Sequence, residues 1–335
     1  MNQLAPSVLI MGYGKIGKMK ANIWKNFGVH VIVSDISENQ IQQAQIDGFQ
    51  VSTNPFHIGY DFVDVCTPSN THIEILKQIV RKKVRCKRVV IEKPLFNTMQ
   101  DKKVLYQLLD NDPSLYEKII VNEQYYRSKT IERLQQLLLN KKVTHIEITM
   151  SKNRKTDIEH GRFVDSSLGA FGIELPHILA ILEMLDTSIE KMQVIKNILY
   201  MDSNDANNQG IRIEYIDNKG TTVVINSFLG NFKVSPQNQI VDNTITDRHV
   251  FIEGQDFTYK AILDPHPSSE RLFAELKLDN KSIWIRDDML TENISDMIRN
   301  KMVTGCKLES AIGQSEQIIS LFNDVQIIKI MKEDD

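Results

Sequence analysis

Short apolar runs alternate with segments of helical spacing over the first 122 residues. The apolar runs predict five strands, at Val8–Met11, Val29–Ser34, Phe62–Cys66, Arg88–Ile91 and Lys118–Val121. Between the first two, Ile16, Met19, Ile23 and Phe27 recur every three or four residues and predict a helix packed on a sheet. Strands that alternate with helices are typical of βαβ units. The predicted fold class is therefore α/β, with a doubly wound parallel sheet.

The pattern changes after about residue 123, where period-two alternation becomes common. The strands predicted here are Val143–Met150, Met192–Leu199, Ile211–Ile216, Thr221–Phe228, Val250–Glu253 and Ser282–Ile285. Asp217-Asn-Lys-Gly220 has the composition of a hairpin turn between two of them. We therefore predict an N-terminal domain over residues 1–122 and an α+β domain with a largely antiparallel open sheet over residues 123–335.

Composition excludes several classes of protein. The 335 residues are 41% hydrophobic and 25% charged, with a formal net charge of −3. We expect no nucleic-acid partner from this balance. The cysteines Cys66, Cys86 and Cys306 lack metal-ligand spacing and predict free thiols and no metal site. A signal peptide and long apolar spans are not apparent, so we expect no membrane association and a cytoplasmic location.

A glycine-rich segment, Gly12-Tyr-Gly-Lys-Ile-Gly17, follows the first strand and opens the first helix, and Asp35 follows the second strand. This is the context of a dinucleotide-binding fingerprint. Gly12 permits the tight turn, Gly14 lets the backbone approach a pyrophosphate, and Gly17 allows close helix packing. Asp35 would accept hydrogen bonds from ribose hydroxyls and repel a 2′-phosphate, which favours NAD over NADP.

The same segment nearly fits a phosphate-binding loop of nucleotide triphosphatases, through Gly12, Gly17 and Lys18. The next residue of that loop binds magnesium through a hydroxyl, and here it is Met19. A nucleotide triphosphatase is therefore disfavoured.

Two more polar segments follow later strands of the predicted sheet. Cys66-Thr-Pro-Ser-Asn-Thr-His72 follows the third strand, and its polar groups either cap the next helix or face a ligand. Glu92-Lys93-Pro94 follows the fourth strand. Because ligands of parallel sheets bind beyond the carboxyl ends of the strands, both segments are expected beside the glycine motif. The predicted coenzyme-binding residues are Gly12, Tyr13, Gly14, Lys15, Ile16, Gly17, Asp35, Cys66, Thr67, Pro68, Asn70, His72, Glu92 and Lys93.

In this combination and order, the three motifs resemble the glucose–fructose oxidoreductase and inositol dehydrogenase family (Gfo/Idh/MocA). The resemblance covers essentially the whole chain and implies a two-domain NAD(P)-dependent oxidoreductase acting on sugars, cyclitols or their phosphates. It implies that Lys93 lies at the nicotinamide, with a cis peptide bond before Pro94. It also implies a C-terminal domain that binds substrate and forms a homodimer or homotetramer.

The family's catalytic histidine corresponds to His177, in Gly169-Ala-Phe-Gly-Ile-Glu-Leu-Pro-His177. Many relatives carry aspartate four residues earlier, where this chain has Ile173. Glu174 resembles a variant of that pattern, and on one helix it would share a face with His177 and orient the imidazole. Pro176 complicates this arrangement, because proline fits only the first turn of a helix. We predict Lys93, His177 and Glu174 as catalytic residues.

A basic loop precedes that helix, with Lys152, Arg154, Lys155 and Arg162 in Ser151–Arg162. Arginine forks suit phosphate or carboxylate, so the loop suits an anionic small-molecule substrate, and a solvated charged loop is an equal alternative. Tyr126, where many relatives carry arginine, either contributes a hydroxyl to the site or packs at the domain junction. The predicted substrate-binding residues are Lys93, Tyr126, Lys152, Arg154, Arg162 and His177.

These residues predict reversible hydride transfer between NAD and a carbinol carbon. Either His177 or Lys93 would carry the hydroxyl proton, and the other would polarise the oxygen. Two alternatives stay open within the same fold: a glycosidase that uses bound NAD transiently, and a nucleotide-sensing regulator without catalysis. Reduction of an imine or a pyrrole-type substrate is a smaller alternative.

Overall fold

A computed structural model of the chain describes residues 5–159, 164–165, 167–187, 193–235, 237, 239–263, 272–279, 281–301 and 304–330. The chain forms two compact units. The N-terminal unit is Met1–Glu123 with Leu290–Glu316, and the C-terminal unit is Gln124–Met289 with Gln317–Asp335. Within the residues described, no helix combines the length and apolar character needed to cross a bilayer.

The N-terminal unit contains a parallel sheet in the order β3-β2-β1-β4-β5-β6. Its strands are β1 (Ser7–Met11), β2 (His30–Ser34), β3 (Gln50–Val51), β4 (Phe62–Val65), β5 (Arg88–Glu92) and β6 (Ile119–Asn122). The predicted doubly wound sheet is confirmed, and each predicted strand is present. Only β3 was not predicted, because two residues carry no periodic signal.

Five helices connect these strands: α1 (Lys15–Asn26), α2 (Glu38–Ile46), α3 (His72–Arg81), α4 (Met99–Asn111) and α5 (Leu115–Lys118). The buried face of α1 differs from the predicted one: it consists of Gly17, Lys20, Ala21 and Trp24, whereas the predicted face is only partly buried and Phe27 is exposed. The close contact of Gly17 with the turn after β1 sets this rotation of the helix. The periodicity of large apolar residues therefore missed Lys20.

A mixed, largely antiparallel sheet forms the C-terminal unit, in the order β16-β15-β14-β13-β7-β10-β9-β8-β17. Among the described residues of this sheet, the parallel pairs are β7–β10 and β8–β17. Its strands are β7 (Val143–Ser151), β8 (Gln193–Asp202), β9 (Gln209–Ile216), β10 (Thr222–Phe228), β13 (Asp247–Gly254), β14 (Thr258–Ile262), β15 (Phe273–Leu278), β16 (Lys281–Arg286) and β17 (Gln326–Ile330). Two further strands, β11 (Phe232–Val234) and β12 (Ile240–Asp242), form a separate two-stranded sheet.

This sheet confirms the predicted fold class, including the turn from Asp217 to Gly220 between antiparallel β9 and β10. Five strands were not predicted, namely β11, β12, β14, β15 and β17. The remaining helices of the chain are α6 (Lys129–Leu138), α7 (Lys155–Glu159), α8 (Ala170–Ile173), α9 (Leu175–Met184), α10 (Met289–Ile298) and α11 (Leu308–Asn323).

The segment Leu290–Glu316 belongs to the N-terminal unit, although the sequence placed it in the second domain. The Asn293 Nδ2 donates to Asn122 Oδ1 at 2.7 Å, and both side chains are buried. The Leu95 amide donates to Ser315 Oγ at 3.2 Å. Contacts so distant in sequence leave no local signal. The predicted boundary at residue 122 stays a prediction.

The buried Asn293–Asn122 hydrogen bond predicts a local effect of Asn293→Ala. Because loss of the donor leaves a buried carbonyl oxygen unsatisfied, we expect amide hydrogen exchange in β6 to rise about 5- to 30-fold. Exchange followed by mass spectrometry measures this. Asn22→Ala, which removes an exposed bond to the Lys18 carbonyl, is the control. Unchanged hydrogen exchange in β6 of Asn293→Ala would contradict a stabilising role for the Asn293–Asn122 hydrogen bond.

Candidate functional site

Four neighbouring strands of the N-terminal sheet, β2, β1, β4 and β5, end beside the motifs singled out in the sequence. Asp35 follows β2, the glycine motif follows β1, the Cys66–His72 segment follows β4, and Lys93 follows β5. Because the strands are parallel, these ends lie at one edge of the sheet. The chain order changes direction between β1 and β4, which is where ligands bind in open α/β sheets.

The three motif glycines have different surroundings. Gly12 has φ +92°, and a Cβ there would lie 3.0 Å from the Cys66 carbonyl group. A Cβ on Gly17 would lie 1.9 Å from the Gly12 carbonyl oxygen. A Cβ on Gly14 would meet no protein atom within 4 Å. Gly12 and Gly17 are therefore required by packing, and Gly14 borders open space, as expected of the glycine that admits a pyrophosphate.

The start of α1 leaves backbone donors for an anion. Gly14 is its N-cap and provides no side-chain hydrogen bond, and the first turn contains no acidic residue. Lys15 and Ile16 are the first two helical residues, the former exposed and the latter half-buried. Unsatisfied amides and the helix dipole together favour a phosphate group at this position.

The Asp35 carboxylate is fixed by two backbone amides. Its Oδ2 accepts from the Tyr13 amide at 2.6 Å, and its Oδ1 accepts from the Ser37 amide at 2.8 Å. A carboxylate offers about four lone-pair positions, so acceptor capacity remains for ribose hydroxyls. Asp35 thus follows β2 with acceptor capacity to spare, and its contact with a coenzyme ribose stays a prediction.

Tyr13 supports the glycine loop from inside the protein. Its side chain is buried, and its hydroxyl donates to Asp47 Oδ2 at 2.8 Å. Burial raises the pKa of the Tyr13 phenol, and the hydrogen bond to Asp47 adds to the effect. The predicted contact of Tyr13 with the coenzyme therefore falls to its backbone and not to its side chain.

In the second motif, His72 links two segments of the site. Its ring is fully buried, with Nδ1 3.0 Å from the Pro94 carbonyl oxygen and Nε2 3.0 Å from the Thr67 carbonyl oxygen. The ring therefore holds the second motif beside the third. The sequence predicts His72 as a coenzyme contact, whereas its ring is buried between these two carbonyl groups.

The remaining residues of the second motif divide between the interior and the surface. Thr67 Oγ1 lies 2.7 Å from Thr71 Oγ1, and Pro68 is the residue before a 3-10 turn over Ser69–Thr71. Asn70 is exposed on that turn. Cys66 is buried, and burial raises the pKa of its thiol. Cys66 is therefore a neutral thiol, and Thr67 and Asn70 keep the polar positions predicted for them.

The third motif contains the expected cis peptide bond, between Lys93 and Pro94. Lys93 is half-buried. Glu92 precedes it, and its Oε1 accepts from Lys20 Nζ at 2.9 Å and from Asn122 Nδ2 at 2.6 Å. The Glu92 side chain is thus held inside the sheet edge, which the sequence did not foresee.

Ligand atoms of Asp64, Cys66 and Glu92 lie within 4.8 Å of one another, a spacing that a metal ion could use. The Lys20 ammonium donates to Asp64 Oδ1 at 2.5 Å as well as to Glu92. This ammonium supplies positive charge to the cluster, in which burial raises the pKa of the Asp64 carboxyl.

In the C-terminal unit, His177 is the third residue of α9 and is half-buried. Its ring centroid lies 5.0 Å from that of Tyr125. The Tyr126 hydroxyl donates to Glu183 Oε2 on the same helix. Tyr125 and Tyr126 belong to a 3-10 turn over Gln124–Arg127 and therefore contact α9 from that turn. Pro176 is in the first turn of α9, as its chemistry demands. Tyr125 and Glu183 were not predicted.

Glu174 is the N-cap residue of α9 and is buried between two arginines. Its Oε1 accepts from Arg154 Nη2 at 2.5 Å and from Arg248 Nη2 at 3.1 Å. Its predicted contact with His177 stays a prediction. Arg248, on β13, was missed because nothing near it in sequence marks it.

The basic loop after β7 is internally paired. Lys152 Nζ donates to Asp157 Oδ2 at 2.7 Å, and Arg154 Nη1 donates to the same oxygen at 3.0 Å. Arg154 is buried, so the alternative of a solvated loop fails for this residue. Lys155 is exposed at the start of α7, and Arg162 lies outside the described residues.

Comparison with known proteins adds to this geometry. Residues 7–117 match the oxidoreductase family with an NAD-binding Rossmann fold. These residues belong to the Gfo/Idh/MocA family. The resemblance inferred from the motifs is confirmed, and with it the expected class of NAD(P)-dependent oxidoreductase.

Two solved structures resemble the whole chain. KijD10, a 3-ketoreductase from Actinomadura kijaniata solved with NADP and TDP-benzene, has a TM-score of 0.75 at 12% identity, over 98% of this chain and 100% of its own. The UDP-N-acetylglucosamine 3-dehydrogenase GnnA from Acidithiobacillus ferrooxidans has a TM-score of 0.66 at 13% identity, over 96% and 98%. At these identities the likeness concerns the fold. Because KijD10 was solved with NADP, the predicted preference for NAD is not confirmed.

The glycine geometry predicts opposite outcomes for two substitutions. Gly17→Ala forces a methyl group into the Gly12 carbonyl oxygen, and overpacking of this kind costs about 1–3 kcal/mol. We expect its unfolding temperature to fall by at least about 3 °C. Gly14→Ala is the control and should shift the temperature less than half as much. Equal shifts in a thermal unfolding assay would refute this description of the loop.

Proposed function

We propose that this protein is an NAD(P)-dependent oxidoreductase that transfers a hydride to or from a secondary alcohol or ketone carbon. The substrate class is a sugar, sugar phosphate, nucleotide sugar or cyclitol. The observation that carries the proposal is the order of the strand ends along the sheet: Asp35, the glycine motif, Thr67 and Lys93 follow four neighbouring strands. Neighbouring strands lie about 4.8 Å apart, so the ends extend over about 14 Å. A dinucleotide lies across an edge of this kind.

Each part of this edge suits one part of a dinucleotide. The open space beside Gly14 and the first-turn amides of α1 suit the pyrophosphate. Asp35 suits the adenosine ribose hydroxyls, and Ile36, which is fully exposed beside it, offers an apolar surface for a base. Thr67 and Lys93 follow the strands on the other side of β1, towards the nicotinamide end.

Lys93 and His177 are the proposed proton-transfer residues. The bound coenzyme supplies the ring that accepts or returns the hydride. When an alcohol is oxidised, one of the two side chains removes the hydroxyl proton, and in reduction it returns that proton to the oxygen. The other donates a hydrogen bond that polarises the oxygen. Glu174 is proposed to fix the start of α9, which carries His177.

Nucleotide-linked sugars are the first substrates to test. KijD10 was solved with a TDP-bearing ligand, and GnnA is named for UDP-N-acetylglucosamine. The cluster around Glu174 contains three cations, Lys152, Arg154 and Arg248, and two carboxylates, Asp157 and Glu174. The arginine forks of this cluster support the proposal of an anionic substrate. A homo-oligomeric state and a cytoplasmic location stay predictions.

We predict that Asp35 gives preference to NADH over NADPH. A 2′-phosphate beside this carboxylate is repelled, and a penalty of 1.4 kcal/mol corresponds to a tenfold ratio of Kd values. Fluorescence titration should therefore give a ratio of at least about ten, and Asp35→Ser should reduce it. Asp47→Asn, which changes another carboxylate near the loop, should leave it unchanged. Equal affinities of the wild-type protein for NADH and NADPH would contradict this role of Asp35.

Turnover tests the catalytic assignment. In a panel of nucleotide sugars, sugar phosphates and cyclitols with NAD or NADP, we expect reduced coenzyme to form in proportion to oxidised product. Lys93→Met and His177→Asn should each lower the rate by about 10²–10⁴, because each removes acid–base assistance. The coenzyme Kd of His177→Asn should stay close to the wild-type value, because His177 is not among the predicted coenzyme contacts.

Three outcomes would contradict this function. A double variant, Lys93→Met with His177→Asn, that turns over normally would refute the catalytic roles. Glycoside cleavage without net formation of reduced coenzyme would identify the glycosidase. Coenzyme binding without turnover on any member of the panel would favour the regulator.

A further inference from the structure

A cavity of about 340 Å³ lies in the N-terminal unit, at the opposite end of β5 from Lys93. Its lining comes from α3, β5, α5 and the segments that connect them. β5 starts at Arg88 and ends at Glu92, and a rise of about 3.3 Å per residue separates these ends by about 13 Å. The cavity is therefore separate from the edge at which the coenzyme is proposed to bind.

The inner part of the cavity is apolar. Ile79 on α3, Val89 on β5 and Leu115 on α5 line it and are almost completely buried. Val80 and Val84 extend this lining and are half-buried. Small-molecule sites are typically cavities of about 300–1,000 Å³, with mostly apolar walls and a few polar groups that fix the ligand. The inner cavity suits the apolar or aromatic part of such a ligand.

Three cations line the same cavity, namely Lys83, Arg85 and Lys118. Lys83 and Arg85 are exposed and Lys118 is half-buried, so they lie towards the opening. Within the described part of the chain, the side chains of these three residues make no hydrogen bond or ion pair. Their donors are therefore available to a ligand.

Other cations of the same region have partners. Lys87 Nζ lies 2.7 Å from Asp61 Oδ1. Arg88 donates to the Glu117 carbonyl oxygen at 2.6 Å and to Asn300 Oδ1 at 2.8 Å. Neither Lys87 nor Arg88 lines the cavity. The availability of donors thus distinguishes the cavity from the paired cations beside it.

The end of α3 does not use the cavity's cations as caps. The Val80 carbonyl accepts from the Lys83 amide, and the Ile79 carbonyl accepts from the Val84 amide, both at 3.0 Å. Lys83 has φ +53°, the left-handed conformation with which helices commonly end. Because backbone amides satisfy these last-turn carbonyls, the side chains of Lys83 and Arg85 are not needed there.

Backbone contacts fix the position of Arg85. Its carbonyl oxygen accepts from the Tyr60 amide at 2.9 Å. A Cβ on Gly59 would lie 3.3 Å from Arg85 Cβ and 3.8 Å from Arg85 Nε. The Arg85 side chain therefore lies against Gly59, and this contact limits the conformations that the guanidinium loses on binding a ligand.

One carboxylate also lines the cavity. Asp112 Oδ1 accepts from the Ser114 hydroxyl at 2.5 Å and from the Ser114 amide at 3.1 Å. These hydrogen bonds lower the pKa of Asp112, and the Lys118 charge adds to the effect. Asp112 is thus ionised and held by its own turn. Three cations beside this one carboxylate favour a dianionic ligand group, such as a phosphate monoester, over a single carboxylate.

We propose that this cavity binds a small organic phosphate monoester. Its apolar part occupies the inner cavity, and its phosphate accepts charge-assisted hydrogen bonds from Lys83, Arg85 and Lys118. The site goes beyond the proposed function, since it lies at the other edge of the sheet and requires no hydride transfer.

A thiol inside the cavity provides the readout. Cys86 lines the cavity and is partly exposed, whereas Cys66 and Cys306 are buried. Burial raises the pKa of Cys86, and the Lys118 charge opposes this rise. A phosphate at Lys118 therefore covers the thiol and also disfavours its reactive thiolate. Alkylation of Cys86 by iodoacetamide, followed by mass spectrometry, measures occupancy without a substrate.

Phenyl phosphate is the probe, with inorganic phosphate and phenol as its two separated halves. At constant ionic strength, we expect phenyl phosphate to slow alkylation of Cys86 saturably, with a Kd below about 1 mM. Inorganic phosphate and phenol should each bind at least about tenfold more weakly, since each keeps only one of the two kinds of contact.

Paired variants test the cations. Arg85→Gln with Lys118→Gln should raise the Kd of phenyl phosphate at least about tenfold, because two charge-assisted hydrogen bonds are lost. Lys82→Gln with Lys87→Gln is the matched control: it removes the same charge from exposed residues that do not line the cavity. Its Kd should change less than about threefold, since exposed charges contribute little at a distance.

Three results would overturn the proposal. The first is alkylation of Cys86 that phenyl phosphate does not slow in the wild-type protein, a test that requires no variant to fold. The second is equal protection by phenol or by inorganic phosphate, since the proposal requires both the apolar cavity and the cations. The third is an equal rise in Kd in the two paired variants, which would indicate attraction by net charge alone.

Discussion

The parallel pairing of β2, β1, β4 and β5 is the constraint on which the candidate site depends. Parallel strands end at the same edge, so residues as far apart in sequence as Gly12 and Lys93 come to lie along that edge, with one strand, β4, between theirs. At this edge α1 approaches β1 so closely that no methyl group fits between Gly17 and the Gly12 carbonyl. That approach aligns the first-turn amides of the helix with the open space beside Gly14. The close packing of α1 on β1 and the space proposed for the pyrophosphate therefore both depend on the glycine motif.

The same approach determines which side of α1 is buried. With Gly17 against the turn, Lys20 and Trp24 follow on the inward face and carry polar groups into the sheet. Asp64 and Glu92 receive them. The interior of the N-terminal unit is thus organised around charge as well as around apolar packing, and its charged part lies next to the proposed catalytic lysine. His72 adds a second internal link, from the Thr67 carbonyl to the Pro94 carbonyl. Packing of the core and placement of the site are consequently coupled.

Much of the fold could be predicted from the sequence because it depends on local patterns of apolar and polar residues. The strands of the first sheet are continuous apolar runs bounded by turns, and each motif follows one of them directly. Features that depend on contacts between residues distant in sequence could not be predicted in this way. Lys20 is a polar residue and so adds nothing to the apolar period of α1, and the return of Leu290–Glu316 to the first unit depends on pairs such as Asn293 with Asn122. The partners of Glu174 lie 20 and 74 residues away in sequence, and Tyr125, which packs on His177, also lies on a different element. Residue types predicted the chemistry at the strand ends, and three-dimensional contacts determined which of those side chains turn inward.

A crystal structure of the protein with bound coenzyme tests the central claim most directly. The account predicts the pyrophosphate over Gly14 at the start of α1, the adenosine ribose on Asp35, and the nicotinamide beyond β5 with the Lys93 ammonium facing it. A coenzyme bound elsewhere, or a Lys93 side chain directed into bulk water away from the ring, would contradict it.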